Sequence, residues 1–576
     1  MLTARHPFSF VAPDLLRGAA LALFTVLVWC TIMNRWSAEA WRTPLEYIAN
    51  PEKSNDVLFY FAEVKAAVDG HYWPLIPKRV PELGAPFGAD WGDYPVTEQV
   101  LIFATGLIAR FIGIFAACNF MIMLAQVLAA LSIYAVCRVL RCHWSWSFVA
   151  GVAYGFAPYA FAHGEHHLDL TFYWHLPLCL LVTRWLSVGE GLPMRGAKFL
   201  FAIAVGFVTG LQNQYYTFMF IQLAALGGLA QWVRRSWRAF LPALAVCVSS
   251  MLGFLVVSLD AIVFQFLHGR NPSAVVRNYG HMEFYALKLM DLFIPFQGHR
   301  LFSALAEHYS AIVLVRGEMP RAGYLGLVGI AGLASLAITT FARLVRTSAP
   351  MPLEAAQVLW IVLQATIGGL NAFLGVFGFY LFRATGRYSI FFLALALLFL
   401  VRQLSRLTKD RPILATVGAA ALVLVVIVDQ TPPIVSRRQI EHTAIAADSD
   451  RRFTKEIESS LPPGTMVFQL PIIEFPEDSS RAGYDHFRPY LFSQHLRFSF
   501  GAVRGRARDE WVHTLNSVSA EEAIGILTRY GFAAIYVDRA QYQDRGQQLF
   551  EGFTKMGMRI TQSPRGDLFC VFLNPR

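Results

Sequence analysis

The chain carries little charge for its length. Only 15% of its 576 residues are Asp, Glu, Lys or Arg, whereas soluble domains carry about 25%. That shortage argues against a soluble protein, because too few charged side chains are present to cover the surface. With 55% apolar and 14% aromatic residues, most of the chain is suited to a lipid bilayer.

Cysteine is scarce, and no two cysteines form a CxxC pair. Most lie in apolar runs, where cysteine behaves as a small buried apolar residue, so neither a disulfide framework nor a zinc site is expected. The C-terminal part also lacks a catalytic triad, a Walker loop and a Rossmann fingerprint. The seven cysteines are Cys30, Cys118, Cys137, Cys142, Cys179, Cys247 and Cys570.

Long apolar runs dominate what is present. A helix needs about 20 residues to cross the hydrocarbon core, and helix is the conformation that satisfies its own backbone there. We therefore predict a polytopic α-helical membrane protein with roughly 11 to 13 spans. The candidate spans are Leu15–Met33, Val100–Phe115, Met121–Leu140, Phe148–Phe161, Leu170–Leu186, Phe199–Leu211, Thr217–Val233, Phe240–Phe266, Tyr324–Leu344, Ala355–Val376, Ser389–Val401 and Ile413–Val428.

The positions of Lys and Arg predict the topology. Arg5 and Arg17 place the N-terminus inside, and Leu15–Met33 is expected to be retained because it lacks a small-residue cleavage site. The net charge of +10 follows the positive-inside bias of the short loops and does not indicate nucleic acid. One conflict stays open. Val100–Leu140 looks like two crossings where an odd number is required, so either one segment is re-entrant or the turn at Arg138 breaks the rule.

Two regions are expected to lie outside the membrane on the outer face. Loop 34–95 holds nine acidic residues against six basic ones, although the rest of the chain is basic. Residues 431–576 contain charged stretches, a Pro463-Gly464 turn and short apolar runs between helical patterns, which predicts a small extracytoplasmic α/β domain. The chain would then divide into a membrane domain, 1–430, and this C-terminal domain, 431–576.

Asp56 is the leading candidate for chemistry. It lies in the segment Asn55-Asp56-Val57-Leu58-Phe59-Tyr60, which continues into an amphipathic stretch suited to the membrane surface. A carboxylate held there could deprotonate an acceptor hydroxyl, which typically gains roughly 10²–10⁴ in rate. The alternative is that Asp56 only starts a helix.

Other polar segments on the same face could bind a substrate. Asp90 and Asp93 lie in a Gly- and Pro-rich run beside Trp91 and Tyr94, where carboxylates could hold sugar hydroxyls or a cation and the aromatic rings could stack on sugars. The alternative there is an ordinary loop that packs its aromatic residues at the interface. Further candidates, which could instead be parts of a hydrated turn or a helix cap, are His163, Glu165, His166, His167 and Tyr215.

Arg383 and Arg387 violate the inside bias of positive charge, because both would lie at the outer face. A guanidinium pair fits a lipid phosphate well, since its planar fork matches phosphate oxygens. The alternative is that both side chains reach to lipid headgroups. No metal ligand set is evident; a divalent cation is possible, but the sequence does not require one.

This layout resembles the GT-C superfamily of integral-membrane glycosyltransferases, which use polyprenyl-phosphate or polyprenyl-pyrophosphate sugars. The shared features are one span, a large outer loop with an early Asp, many spans and an outer C-terminal domain. The run Pro86-Phe87-Gly88-Ala89-Asp90 with Asp93-Tyr94-Pro95, and the start Leu461-Pro462-Pro463-Gly464-Thr465, are similar to an uncharacterised bacterial group of that superfamily. Val57 follows Asp56, where the family often has Glu, so the candidates for the second acidic residue are Asp90, Asp93 and Glu165.

The resemblance implies transfer of a sugar at the outer face of a bacterial inner membrane, typically with inversion. Asp56 would be the general base, and Arg383 and Arg387 would hold the donor phosphate, with the turn 163–167 as a further element. The implied partners are a polyprenyl-phosphate-linked donor, a glycan, lipid or protein acceptor, and membrane lipid. Two other functions remain open: a transporter or flippase for lipid-linked saccharides, and a non-catalytic assembly protein. The absence of an internal repeat argues against the transporter.

Overall fold

The computed structural model describes residues 12–47, 56–94, 98–313, 322–346, 349–476 and 484–573. Asn55 and Pro95, which belong to the predicted motifs, lie outside the described residues. In chain order, the helices before residue 431 are α1 (Ala12–Ile32), α2 (Ala38–Arg42), α3 (Asp56–Asp69), α4 (Gln99–Ile112), α5 (Ile114–Val139), α6 (Trp144–Gly155), α7 (Pro158–His163), α8 (Leu168–Thr171), α9 (Leu176–Ser187), α10 (Ala197–Gly210), α11 (Gln214–Arg234), α12 (Leu241–Val257), α13 (Leu259–His268), α14 (Tyr279–Phe284), α15 (Ser303–Ile312), α16 (Gly326–Arg346), α17 (Leu353–Ala365), α18 (Leu370–Val376), α19 (Ser389–Leu407) and α20 (Pro412–Gln430).

The helices form a polytopic membrane bundle. Within the described ranges, seven helical segments are long and apolar enough to cross a membrane, and five further apolar helices are shorter. The seven contain α1, α5, α11, α12, α16, α19 and α20. Apolar side chains stay exposed along these helices, for example Phe341 and Leu424, as expected where a helix faces lipid rather than water.

The open question about residues 100–140 has a structural answer. The run divides at Gly113 into α4 and α5. The 14 residues of α4 span about 21 Å, less than the hydrocarbon core of about 30 Å, whereas the 26 residues of α5 span about 39 Å. Arg138 at the end of α5 donates to Asp14 near the start of α1 at 3.0 Å. The single full-length crossing by α5 therefore returns the chain to the side of the N-terminus, as the charge rule requires.

The C-terminal region is an α/β domain. Its five-stranded sheet has the order β4-β3-β5-β7-β6, with β3 parallel to β4 and β5, and β7 antiparallel to β5 and β6. The predicted fold class, a helical membrane protein with a C-terminal α/β domain, is confirmed. The elements are α21 (Arg437–Ser459), β3 (Met466–Leu470), α22 (Arg488–Phe492), β4 (Arg497–Phe498), α23 (Ala507–Glu510), α24 (Ala520–Tyr530), β5 (Phe532–Asp538), α25 (Gln547–Lys555), β6 (Arg559–Gln562) and β7 (Leu568–Phe572).

Loop 34–95 packs directly on this domain. The loop contains a short hairpin of β1 (Arg79–Val80) and β2 (Ala89–Asp90). The segment between these two strands makes main-chain bonds across the interface: Gly84 N–H donates to the Phe500 carbonyl at 2.8 Å, and Phe498 N–H donates to the Glu82 carbonyl at 2.7 Å. Because these bonds join the two regions, both lie on one side of the helical bundle.

Helix α3 does not lie open along a membrane surface, as its amphipathic pattern suggested. Nine of its 14 residues are buried, and Phe59 sits among rings from both regions, 5.2 Å from Tyr484 and 5.5 Å from Phe475 and Tyr94 between centroids. The C-terminal domain covers the face that the sequence pattern assigned to lipid.

A buried ion-pair cluster ties loop 34–95 to the domain. Arg488 donates to both oxygens of Asp450 at 2.7 Å and to Asp567 at 3.0 Å. The Tyr47 hydroxyl of the loop donates to Asp450 Oδ2 at 2.7 Å. Removing one partner of a buried pair is costly because it leaves an uncompensated charge.

We therefore expect Arg488→Met to lower the free energy of unfolding by about 3–5 kcal/mol, measured by denaturant unfolding of the purified protein in detergent. Arg452→Met is the matched control. Arg452 pairs with Asp448 on the same helix as Asp450, but its side chain is 73% exposed, so its loss should cost no more than about 1 kcal/mol. Equal effects of the two substitutions would contradict the structural role of the buried cluster.

Candidate functional site

Asp56 is the first residue of α3. A carboxylate at a helix N-terminus is stabilised by the positive end of the helix dipole. Its Oδ2 lies 3.6 Å from His167 Nε2, and 28% of the Asp56 side chain remains exposed. Asp56 thus combines a defined backbone position, a contact with an imidazole and access for another molecule.

A second carboxylate, Asp169 of α8, meets α3 at Tyr60, one helical turn after Asp56. Tyr60 packs edge-on against His167, with 6.2 Å between ring centroids, and its hydroxyl donates to Asp169 Oδ1. The other oxygen of Asp169 accepts from Asn213 Nδ2 at 2.6 Å. These contacts join α3, α8 and the start of α11 at one point and bring Asp169 close to the Asp56–His167 pair.

Two more carboxylates extend this group, which we call the acid cluster: Asp56, Glu63, Glu98 and Asp169. Glu98 Oε1 lies 3.3 Å from Asn213 Nδ2, and Glu63 is completely buried. Burial raises the pKa of Glu63 well above its usual range, and the charges of Glu98 and Asp169 raise it further. Like charges held together disfavour full ionisation of every member.

Three guanidinium groups, Arg277, Arg383 and Arg387, form what we call the arginine cluster. Arg387 stacks 4.6 Å over the ring of Tyr215, and Arg383 lies 4.9 Å over Tyr285. Arg277 donates to the Leu381 carbonyl at 2.8 Å, two residues before Arg383. The sequence prediction named two of these arginines, and the structure adds the third.

Arg277 has unused capacity for an anion. Burial lowers the pKa of Arg277, and the like charges of Arg383 and Arg387 lower it further, which shows that the three groups lie within electrostatic range of one another. The Nε atom of Arg277 is buried and has no hydrogen-bond partner among the residues that the structure describes. A buried unpaired donor of this kind is unfavourable unless a ligand or water satisfies it.

Tyr94 connects the two clusters. Burial raises the pKa of Tyr94, the charge of Asp56 raises it further, and the charge of Arg277 lowers it. Arg277 is in turn influenced by Tyr215, the residue on which Arg387 stacks. The acid cluster and the arginine cluster are therefore adjacent, with Tyr94 close to both.

Asp90 and Asp93 contact the C-terminal domain instead. Arg506 holds Asp93 through two bonds of 2.7 Å, and Asp90 pairs with Arg508 and lies 3.9 Å from Arg79. Asp93 is almost completely buried. The structure thus places both carboxylates in the interface between the loop and the domain.

Glu165, His166 and His163 are also engaged in local structure. Glu165 Oε2 accepts from the Glu46 N–H at 2.9 Å, and His166 Nε2 pairs with Glu46 Oε2. The ring of His163 donates from Nδ1 to the Tyr159 carbonyl at 2.8 Å. Of the predicted turn, His167 is brought directly to Asp56.

Sequence reasoning missed Arg277 and Asp169, although it named His167, which lies 3.6 Å from Asp56. Arg277 is one of several basic residues between 268 and 320, so the inside bias of positive charge could not single it out. Asp169 ended the predicted polar turn but was not among the predicted site residues. Within the described ranges, no group of three or more His, Cys, Asp or Glu side chains is arranged to hold a metal ion.

Comparison with known proteins yields similarity of fold only. No family model and no curated protein sequence matches the chain. ArnT from Cupriavidus metallidurans bound to undecaprenyl phosphate is 12% identical, with a TM-score of 0.49 over 98% of this chain and 100% of that chain. The oligosaccharyltransferase AglB from Archaeoglobus fulgidus, in complex with an inhibitory peptide and a dolichol-phosphate, is 11% identical, with a TM-score of 0.43 over 97% of this chain and 74% of that chain. At these identities and TM-scores the likeness assigns no residue, no substrate and no activity to this chain.

The buried carboxyl of Glu165 gives a pH-dependent prediction. Burial is the largest cause that raises its pKa from 4.5 to about 8. Because the folded-state pKa lies above the unfolded value, the stability that the protonated carboxyl permits in acid is lost as the pH rises from 4.5 to about 8. Glu165→Gln keeps an oxygen for the Glu46 N–H and cannot ionise.

We therefore expect the melting temperature of Glu165→Gln, relative to the unsubstituted protein, to rise between pH 5 and pH 8. Measurement of both proteins in the same detergent isolates this carboxyl, because His166 and Glu46 are present in both. A difference that stays constant over this range would contradict the assignment of a buried, protonated Glu165.

Proposed function

We propose that the protein is a membrane glycosyltransferase, which moves a sugar from a polyprenyl-phosphate-linked donor to an acceptor hydroxyl at the outer face of a bacterial inner membrane. The observation that supports this most is the arrangement of Asp56 and His167 beside three guanidinium groups, with Tyr94 within electrostatic range of both. A base and an anion site side by side are what displacement of a sugar from phosphate needs.

In the proposed reaction, Asp56 accepts the proton of the acceptor hydroxyl as its oxygen attacks the anomeric carbon. A bond forms between that oxygen and the anomeric carbon, and the bond from the anomeric carbon to the phosphate oxygen breaks. The electron pair leaves with the polyprenyl phosphate, whose charge Arg277, Arg383 and Arg387 stabilise. Direct displacement would invert the configuration of the sugar. His167 orients the carboxylate of Asp56.

The lipid part of the donor also has a plausible binding surface. Helix α18 and the chain that follows it lead directly to Arg383, and Phe373 and Phe377 are exposed on this stretch. Apolar surface beside a phosphate site suits a polyprenyl chain that enters from the bilayer. Domain 431–576 would lie on the outer side with loop 34–95.

We expect Asp56→Asn to reduce sugar transfer by roughly 10²–10⁴-fold, while the protein still folds and still binds lipid phosphate. The experiment is to delete the gene in its host, find by mass spectrometry which glycoconjugate loses a sugar, and restore the strain with each variant. Asp69→Asn is the matched control, because Asp69 lies at the opposite end of α3 and pairs with Lys65. If Asp56→Asn restores the glycoconjugate as well as the unsubstituted protein does, Asp56 is not the base, and a transporter or assembly role is favoured.

We expect Arg277→Ala to weaken binding of undecaprenyl phosphate by about tenfold to a hundredfold, since a hydrogen bond to a charged group contributes about 1.5–3 kcal/mol. The measurement is the Kd of the purified protein in nanodiscs. Arg270→Ala makes the same charge change in the same segment at an exposed position and should leave the Kd unchanged. Equal weakening by both would mean that only overall charge matters.

A further inference from the structure

A second function of the C-terminal domain emerges from its contacts with the segment that carries Arg277. This segment, residues 268–277, runs from the end of α13 toward α14. Arg506 donates to the carbonyls of His268 and Gly269 at 2.6 and 2.7 Å, and Arg504 donates to the Ser273 carbonyl at 2.8 Å. Two arginines of the domain thus hold three carbonyls of a segment that is more than 230 residues away in sequence.

Loop 34–95 completes the same junction. Asp93 binds Arg506 through both oxygens and also accepts from Asn271 Nδ2 at 3.2 Å. Asn271 Nδ2 donates in addition to the Arg504 carbonyl at 2.8 Å. We call this junction of Asp93, Asn271, Arg504 and Arg506 the clamp.

Close backbone approach shows that the clamp leaves little room for movement. A Cβ atom at Gly505 would lie 2.6 Å from Asn271 Oδ1 and 2.7 Å from Ser273 Cβ, and Gly505 has a φ of +80°. A Cβ atom at Gly92 would lie 2.3 Å from the ring of Phe264 on α13. Only glycine fits at either contact, so the domain, the loop and the segment are in direct contact there.

Ser273, the last residue that Arg504 of the clamp holds in this segment, lies four residues before Arg277. Ser273 is held by Arg504, Ala274 is buried in the core that the loop and the domain share, and Arg277 is fixed at its tip to the Leu381 carbonyl. A side chain held at its tip still depends on its backbone for direction. Misplacing a phosphate ligand by about 1 Å is enough to lower binding or rate strongly.

We propose that Arg506 is a positioning residue for the lipid-phosphate site: through the clamp, the C-terminal domain sets the position of Arg277. This inference rests on the proposed function, in which Arg277 binds the donor phosphate. Arg506 would not touch the donor. The domain would support the phosphate site by fixing the position of Arg277, in addition to any contact it makes with an acceptor.

The test is a double-mutant cycle on the full-length protein in nanodiscs, with the Kd of undecaprenyl phosphate as the readout. We expect Arg506→Ala to weaken binding about tenfold, and the double variant with Arg277→Ala to bind no more weakly than Arg277→Ala alone, because residues that act as one unit are not additive. A merely structural loss would multiply with the effect of Arg277→Ala and would overturn the proposal, as would an unchanged Kd in Arg506→Ala.

Arg508→Ala is the matched control, because it removes the same charge two residues away. Arg508 pairs with Asp90 of the same loop and has a half-exposed side chain, so its removal should leave the Kd unchanged. If Arg508→Ala weakens binding as much as Arg506→Ala, loss of charge explains the effect and the clamp does not.

Gly505→Ala is the second variant, and it keeps the test decisive if Arg506→Ala fails to fold. It changes no charge and pushes directly on Asn271 and Ser273, so it should also weaken binding; an unchanged Kd in a folded Gly505→Ala protein would overturn the proposal.

The same measurements distinguish failure of this proposal from failure of the proposed function. If Arg277→Ala itself leaves the Kd unchanged, the phosphate site is wrong; if only Arg277→Ala weakens binding, the phosphate site stands and the positioning role of Arg506 is rejected.

Discussion

The burial of α3 between the membrane helices and the C-terminal domain is the constraint on which the rest of the site depends. Phe59 packs against rings from both regions, and the opposite side of the helix packs on α4 and α5. Because a helix packed on all sides cannot rotate or slide, Asp56 and Tyr60 have fixed positions. The acid cluster is therefore built on a rigid element, although it belongs to a loop between two membrane helices.

At the domain interface, buried carboxylates have arginine partners: Asp93 pairs with Arg506 and Asp450 with Arg488. In the candidate site, a tyrosine lies near charges of both signs, since the carboxylate of Asp56 and the guanidinium of Arg277 both influence the pKa of Tyr94. Burial strengthens such electrostatic effects. A carboxylate and a guanidinium group are thus held close to the same buried tyrosine.

The sequence predicted the features that depend on composition and local pattern. Apolar runs predicted the membrane helices, and the change of composition near Thr431 predicted the α/β domain, since both signals are contained in short windows of residues. The sequence divided residues 100–140 into two runs but left open how the chain crosses the membrane there, because α4 and α5 are almost equally apolar and the contact between Arg138 and Asp14 is long-range. The surface of α3 was misassigned for a related reason: an apolar face looks the same whether lipid or another domain covers it.

The same distinction between local signals and long-range packing explains which site residues the sequence predicted. Asp56 has a local signal, because it lies in the acidic loop that follows the first span. Arg383 and Arg387 also have one, because positive charge is not expected on the outer side of the membrane. Asp169 and Arg277 depend on long-range packing, since Asp169 meets Tyr60 across more than 100 positions and Arg277 meets Leu381 in the same way. The pairing of Asp93 with Arg506 and of Asp90 with Arg508 also depends on long-range packing, so nothing local predicts it.

The most direct measurement is an experimental structure of the protein in nanodiscs with undecaprenyl phosphate bound. We expect the phosphate oxygens to lie about 3 Å from guanidinium nitrogens of the arginine cluster, including Nε of Arg277, with the site next to the phosphate open toward Asp56. A phosphate bound away from all three arginines, or one that leaves Asp56 on the far side of the protein, would contradict a shared site for the base and the donor.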